Sequence, residues 1–334
     1  MTYPLTELHL EHLQNADDFR QQVMIPGKPV VIRKIAADWP LLREDAPILS
    51  TIRKFDVGKD VELFRASSGI GRYYYSEGLK DFDFERETLP LADAINRITA
   101  GMGEADRETL YVGSLPSERY LPGLGELTPL GLIPRNVHPR FWIGHASHIA
   151  CHYDTLDNLA CVAEGRRRFT LFPPEAISDL YVGPIDFTMA GQPVGLAVAS
   201  EPGDPRFERF ERWREEALVA ELEPGDGIYI PKLWWHQVEA LADLNVLVNF
   251  WWDGFSAGPA QPYSALLLAL LTIAERPHVE RKAWKAWFDH YVFRESRHPL
   301  EHIPAERRGI LGPLDNGNYQ RLRVAIMRML RAGV

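Results

Sequence analysis

Three side chains in this sequence can together hold a metal ion. His152 and Asp154 stand two residues apart in Cys-His-Tyr-Asp (151–154), and His236 closes Ile-Pro-Lys-Leu-Trp-Trp-His (230–236). If the first segment is a β-strand, both of its side chains leave the same face, because side-chain direction alternates along a strand. Two imidazoles and one carboxylate are the ligand set of a facial triad. That set leaves coordination positions open for a co-substrate and dioxygen, which suits a non-haem Fe(II) oxygenase. A lone His-x-Asp recurs by chance, and a single histidine in a barrel is usually structural, so the weight of this reading lies in its surroundings.

Those surroundings read as short strands. Strand patterns occupy 109–113, 140–144, 149–154, 158–163, 168–172, 218–222, 227–230, 236–240 and 246–251, separated by Gly- and Pro-containing turns such as Glu-Pro-Gly-Asp at 223–226. Residues 116–139 read as a loop, 173–175 as the start of a short helix, and 181–216 as a long irregular insertion. Upstream, 17–23 and 91–99 have helical spacing, with Gly101 as a stop. Strands are expected at 29–33, 61–65 and 72–75, with a turn at 67–69. After Trp252 the pattern turns helical over 263–275, 279–292 and 319–332, and the first of these is apolar nearly all round, which calls for burial. Many short strands with Gly/Pro turns suggest a β-sandwich or barrel, a jelly roll being one option, so the fold class is mainly β with flanking helices, followed by a C-terminal helical region.

Four motifs now stand in order: Cys-His-Tyr-Asp-Thr-Leu-Asp-Asn (151–158), Gly-Arg-Arg-Arg-Phe-Thr-Leu-Phe-Pro-Pro (165–174), Glu-Pro-Gly-Asp-Gly-Ile-Tyr-Ile-Pro-Lys-Leu-Trp-Trp-His (223–236) and Val-Asn-Phe-Trp (248–251). Together they resemble the cupin-like JmjC oxygenases, in particular the group that includes factor-inhibiting-HIF asparaginyl hydroxylase. The resemblance implies a double-stranded β-helix (jelly-roll) fold, that His152, Asp154 and His236 bind Fe(II), and that 2-oxoglutarate is the co-substrate. It assigns Tyr111 and Arg167 to the distal carboxylate of 2-oxoglutarate, and Asn158 and Asn249 to the lining of its pocket. Arg167 stands where the family carries lysine; a guanidinium keeps the charge and offers a bidentate fork. In the run 166–168, alternation sets Arg167 on one face and Arg166 and Arg168 on the other. Ile149 stands where the family often has a threonine that helps hold the co-substrate, with Ser147 and His148 as the nearby polar residues. The implied activity is hydroxylation of a polypeptide side chain. The alternatives are a non-catalytic cupin-like metal-binding or sensing module, and an oxygenase acting on tRNA or a small metabolite.

The bulk properties narrow the choice. Of 334 residues, 37 are Lys or Arg and 46 Asp or Glu, for a net charge of −9, which speaks against a general nucleic-acid-binding surface. Only Cys151 and Cys161 occur, with no disulfide framework, and no signal-peptide pattern opens the chain; a cytoplasmic protein is expected. The chain divides into an N-terminal α/β region (1–108) packing on the barrel, a catalytic barrel (109–255), and C-terminal helices (256–334) suited to homodimerisation. Cys151 alternates away from His152 and reads as a packed thiol. His145 and His148 read as structural rather than as extra ligands, Trp234, Trp235, Trp251 and Trp252 as packing, and Tyr73–Tyr75 as a strand with two ring faces.

Overall fold

The computed structural model describes residues 5–43, 46–67, 71–104, 106–255, 261–294, 297–313 and 316–332. The chain forms two compact units, 1–254 and 255–334.

The first unit is built on strands β1 (Thr6–His9), β2 (Val30–Arg33), β3 (Asp60–Ala66), β4 (Gly71–Tyr73), β5 (Phe84–Pro90), β6 (Thr109–Pro116), β7 (Pro139–Gly144), β8 (Ser147–His152), β9 (Asp157–Glu164), β10 (Arg167–Phe172), β11 (Leu218–Leu222), β12 (Gly227–Ile230), β13 (Trp235–Ala240) and β14 (Asn245–Trp252). They make a nine-stranded sheet, ordered β1-β2-β12-β9-β14-β7-β6-β3-β5, and a five-stranded sheet, ordered β11-β10-β13-β8-β4. From β7 to β14 successive strands pass from one sheet to the other, except at β10–β11. That alternation is the double-stranded β-helix expected from the motifs.

The two sheets meet through side chains that alternate inward. Ala160 and Val162 of β9 face Phe169 and Leu171 of β10, Val238 of β13 and Leu247 of β14. The other face of β9, with Leu159, Cys161 and Ala163, packs against the N-terminal segments through Phe19, Trp39, Ile52, Leu91 and Ile95. A strand buried on both faces must be apolar throughout. Residues 157–163 are accordingly all buried, with only Asp157 and Asn158 polar. Residues before 109 are not a separate layer: β1–β3 and β5 extend the large sheet on both sides.

Two strands have no strand signature in sequence. β1 exists by parallel pairing with β2. β5 reads Phe-Glu-Arg-Glu-Thr-Leu-Pro and is a charged edge strand held by β3, a composition that discourages further pairing. The expected loop 116–139 contains a short helix, Ser117–Tyr120, and the insertion 181–216 contains the helix Glu211–Glu216. The turn expected at 67–69 falls mostly outside the described residues.

The second unit carries helices Pro262–Thr272, His278–Phe288 and Asn316–Ala332. Leu266, Leu267, Leu270 and Leu271 of the first are 41–78% exposed in the single chain, so the burial expected of it is not supplied by the described residues. Among those residues, no helix is long and apolar enough to cross a membrane.

Candidate metal and co-substrate site

The register of β8 and β13 sets His152 directly opposite His236, with a bulge beyond the pair. Their ring centroids lie 4.4 Å apart. Asp154 follows β8, and its Oδ2 comes within 3.7 Å of His236 Nε2. One ligand atom from each of the three lies within 4.8 Å of the others. The two ligand-bearing segments are also tied through backbone. Leu233 holds a left-handed conformation (φ 70°) that branched side chains seldom adopt, and its N–H donates to the carbonyl of Asp154 at 2.8 Å. Strain of this kind persists where the surroundings over-determine it, commonly at functional sites.

The tautomers are set by neighbours. His152 Nδ1 lies 2.8 Å from the carbonyl of Ala150, and His236 Nδ1 lies 3.0 Å from that of Trp234. A carbonyl only accepts, so each Nδ1 carries a proton and Nε2 is the ring nitrogen left to face a metal. Burial, helped by the neighbouring His152, pulls the pKa of His236 down to about 4, which keeps it neutral and able to ligate near pH 7. Asn158 donates to Asp154 Oδ2 at 3.2 Å, and Asn249 donates to Asn158 Oδ1 at 3.0 Å. Asn249 Oδ1 is itself buried without a partner.

All seven residues singled out from sequence line one cavity of about 520 Å³. His152, Asp154, His236, Asn158 and Asn249 stand towards one end. Arg167 and Tyr111 stand at the other. Arg167 lies four residues along β10 from Leu171, the register partner of His236, about 13 Å at the rise of a strand. It is 2% exposed, and its Nε has no acceptor. Burial brings its pKa down to about 10, with Tyr111 acting against the fall, so it remains a cation. Burial also pushes the Tyr111 hydroxyl up, leaving it a neutral donor. Gly113 lets the rings of Tyr111 and Trp142 stack with centroids 6.0 Å apart; a Cβ there would lie 3.0 Å from one ring and 3.1 Å from the other.

A buried cation with no carboxylate opposite is costly. Here it faces a cavity whose other end offers two imidazole nitrogens and a carboxylate. The residues present therefore fit Fe(II) together with a dicarboxylate co-substrate. Ile149 lines the cavity without offering a hydrogen bond. Of its two polar neighbours, His148 turns away to Glu239 at 3.5 Å. Ser147 carries a buried hydroxyl with no partner.

The remaining sequence candidates have structural roles. Arg168 faces away from the cavity and bonds Glu221 at 2.7 Å, as alternation requires. Cys151 is buried in an outer cluster with Phe172 and Trp235, and burial raises its pKa. Tyr73 reaches the cavity and donates to the carbonyl of Thr109, whereas the hydroxyls of Tyr74 and Tyr75 hold the insertion through the carbonyls of Leu196 and Phe187. His145 lies buried between Ile98 O, 2.8 Å from Nε2, and Leu110 N–H, which donates to Nδ1 at 3.2 Å. That pair of bonds requires a neutral ring, and burial lowers its pKa from 6.5. The unfolded chain therefore takes up this proton first, and stability falls as the pH drops below about 6.5. In a His145→Gln variant, urea melts over descending pH are expected to show a shallower acid-side loss than in the wild type. An unchanged slope would contradict the assignment.

Residues that sequence reasoning did not single out also line the cavity: Arg140, Trp142 and Phe64, and from the insertion Met189 and Gln192. Their signal was weak, because each is brought there by strand pairing or by the path of a loop rather than by a motif.

Residues 16–258 match the cupin-like domain family. The chain belongs to that family, whose JmjC-type members its motifs resemble. It is 37% identical to Lysine-specific demethylase JMJ31 of Arabidopsis thaliana over 280 residues, 73% of this chain and 49% of that protein. It is 30% identical to HSPB1-associated protein 1 of Bos taurus over 164 residues, 48% of this chain and 32% of that protein. With the human Bifunctional peptidase and (3S)-lysyl hydroxylase JMJD7 it shares 26% identity over 282 residues, 75% of this chain and 85% of that protein. The chain thus spans half or less of the length of the first two.

Proposed function

We propose that this protein is an Fe(II)- and 2-oxoglutarate-dependent oxygenase that hydroxylates a polypeptide side chain. The observation that carries the reading is the pairing, in one cavity, of the His152–Asp154–His236 cluster with the buried, unpartnered cation of Arg167. A metal-sensing module would have no need for that cation. The relatives named for action on lysine residues support a polypeptide rather than tRNA or a metabolite as substrate.

His152, Asp154 and His236 would hold Fe(II). When bound, Fe(II) and 2-oxoglutarate supply the activation of dioxygen that oxidises a substrate C–H bond, with succinate and CO2 as products. The protein's part is positioning. Ala150 and Trp234 carbonyls aim the two imidazoles, while Asn158, held by Asn249, keeps one oxygen of Asp154 engaged. Arg167 and Tyr111 would bind the distal carboxylate, and Ile149, Phe169, Val238 and Leu247 give the cavity an apolar wall. Anaerobic addition of Fe(II) and 2-oxoglutarate is expected to give the weak visible charge-transfer band of a chelated 2-oxo acid. Metal binding with no such band would leave only the sensing module standing.

Apolar side chains on the C-terminal unit support a homodimer formed through its helices: Leu271, Trp287, Val292, Phe293 and Met329 are 58–78% exposed. Light scattering is expected to give twice the monomer mass for the full chain. A monomer at micromolar concentration would remove the proposal. A cytoplasmic setting fits the two free, buried cysteines, and cell fractionation checks it.

A further inference from the structure

Besides Arg167 and the ion-paired Arg86, the cavity is lined by a third arginine that neither the metal nor the co-substrate uses. Arg140 of β7 is half-buried in the wall, and burial lowers its pKa. Its Nε donates to Ser114 Oγ at 2.8 Å and its Nη2 to Ser114 O at 3.4 Å. Its guanidinium lies 5.1 Å from the centre of the Trp251 ring. It has no ion pair among the described residues.

The fixation of this side chain is a built feature. The β6–β7 ladder is broken by a bulge between Val112 and Leu115. Within it Ser114 adopts φ 55°, uncommon for a residue with a side chain. That turn brings both Ser114 oxygens against the guanidinium. Trp251, whose Nε1 is buried without an acceptor, supports it from β14. Neutral partners thus hold the cation in place and leave its charge unbalanced.

Register separates it from the co-substrate end. Tyr111 pairs with Gly144, four residues along β7 from Arg140, again about 13 Å. Arg140 pairs instead with Asn249 on β14, which in turn adjoins β9 and Asn158. On β9 Asn249 pairs with Ala160, two residues from Asn158, so two strand spacings and this offset, about 10–12 Å, separate Arg140 from the residue that holds Asp154.

Charge points to the missing partner. Of the two carboxylates lining the cavity, Asp154 belongs to the metal cluster and Glu62 pairs with Arg86 at 3.6 Å. The charges of Asp154, Fe(II), 2-oxoglutarate and Arg167 cancel, so a loaded site still carries the positive charge of Arg140. We infer that Arg140 is a specificity-determining residue that binds an acidic side chain of the polypeptide substrate, within about three residues of the oxidised position, the reach of an extended chain over that distance. This inference rests on the oxygenase reading for the identity of the substrate.

The test uses pools of synthetic, C-terminally amidated peptides. They are randomised except for one Asp or Glu, or one Asn or Gln, within three positions of the centre. Full-length protein loaded with Mn(II) and 2-oxoglutarate is expected to retain the acid-bearing pools about tenfold more tightly than the amide-bearing ones. Arg140→Met should bring the two to parity with Mn(II) and 2-oxoglutarate affinities unchanged. Arg140→Glu should turn the preference towards Lys- and Arg-bearing pools. Ser114→Gly, which accepts the left-handed backbone but removes Oγ, acts by positioning. It should weaken the preference several-fold while Arg140 remains, which covers the case in which Arg140→Met fails to fold. No acid preference in the wild type, or an undiminished one in folded Arg140→Met, overturns the inference. Acid preference without succinate formation in the Fe(II) protein would keep the Arg140 site and discard the oxygenase reading. Succinate formation without acid preference would do the reverse.

Discussion

His152→Ala and Asp154→Ala are each expected to abolish 2-oxoglutarate turnover while leaving the fold intact. Within the protein these side chains do little structural work. His152 makes one bond through Nδ1 to a backbone carbonyl, and Asp154 accepts one from Asn158, interactions worth about 1 kcal/mol apiece. Neither belongs to the apolar layer between the sheets, which rests on Phe169, Leu171, Val162 and their neighbours. As the proposed ligands they would be irreplaceable: with one of three removed, the affinity for Fe(II) should fall by well over the roughly 10- to 100-fold that loss of a supporting group costs. Succinate release measured alongside a thermal melt and Mn(II) titration separates the two roles. Full turnover in either variant would sink the triad assignment; loss of turnover with a collapsed melt would show that the fold had been lost instead.

Why the triad was readable and other parts were not follows from how far each feature reaches along the chain. Strand alternation anticipated a common direction for His152 and Asp154, although β8 ends at His152 and Asp154 lies just beyond it, and the same rule put Arg167 and Arg168 on opposite faces without saying which of them faces the cavity. His236 needed only the recognition that its strand returns beside β8. Arg140 has no such local mark. Its importance comes from pairing with Asn249 on a strand more than a hundred residues away, and from a bulge that gives Ser114 a backbone conformation its residue type does not announce. The same holds for β1 and β5, which are strands because of what they pair with. Which polar neighbour of Ile149 turns away was also undecidable from sequence. Ser147 and His148 are adjacent, and only the register of β8 on β13 sends His148 outward to Glu239.

The insertion illustrates a different limit. Its composition read as irregular, and most of it is. Yet the carbonyls of Phe187, Met189 and Leu196 are held by Tyr75, Arg86 and Tyr74, respectively. Those bonds carry Met189 and Gln192 to the cavity wall. The tyrosine run at 73–75 thus serves two ends: Tyr73 closes the cavity, and its two successors anchor the segment that forms part of its rim. A loop fixed in this way on a rigid sheet is where substrate choice can vary without disturbing the metal ligands.

Arg167→Met should separate stability from co-substrate binding, in opposite directions. In the absence of 2-oxoglutarate, Arg167 is a cation 2% exposed, with an unsatisfied Nε and no carboxylate partner among the described residues. Replacing such a buried charge by an apolar side chain of similar length removes a desolvation cost, so the unliganded variant is expected to be more stable, by about 1–4 kcal/mol. The gain should vanish when 2-oxoglutarate is added. The wild type acquires a desolvated, charge-assisted pair that the variant cannot form, and the variant's KM for 2-oxoglutarate should rise about 30-fold or more. Arg167→Lys supplies the residue type that the resembling family carries there, and it should recover much of the affinity because charge rather than the planar fork is the larger part of the interaction at a fully buried site. Melting curves with and without 2-oxoglutarate decide the matter. A variant destabilised in both conditions would mean that Arg167 is a packing residue. An unchanged KM would move the distal carboxylate elsewhere, and Ser147, with its buried, unpartnered hydroxyl, would be the first residue to replace next.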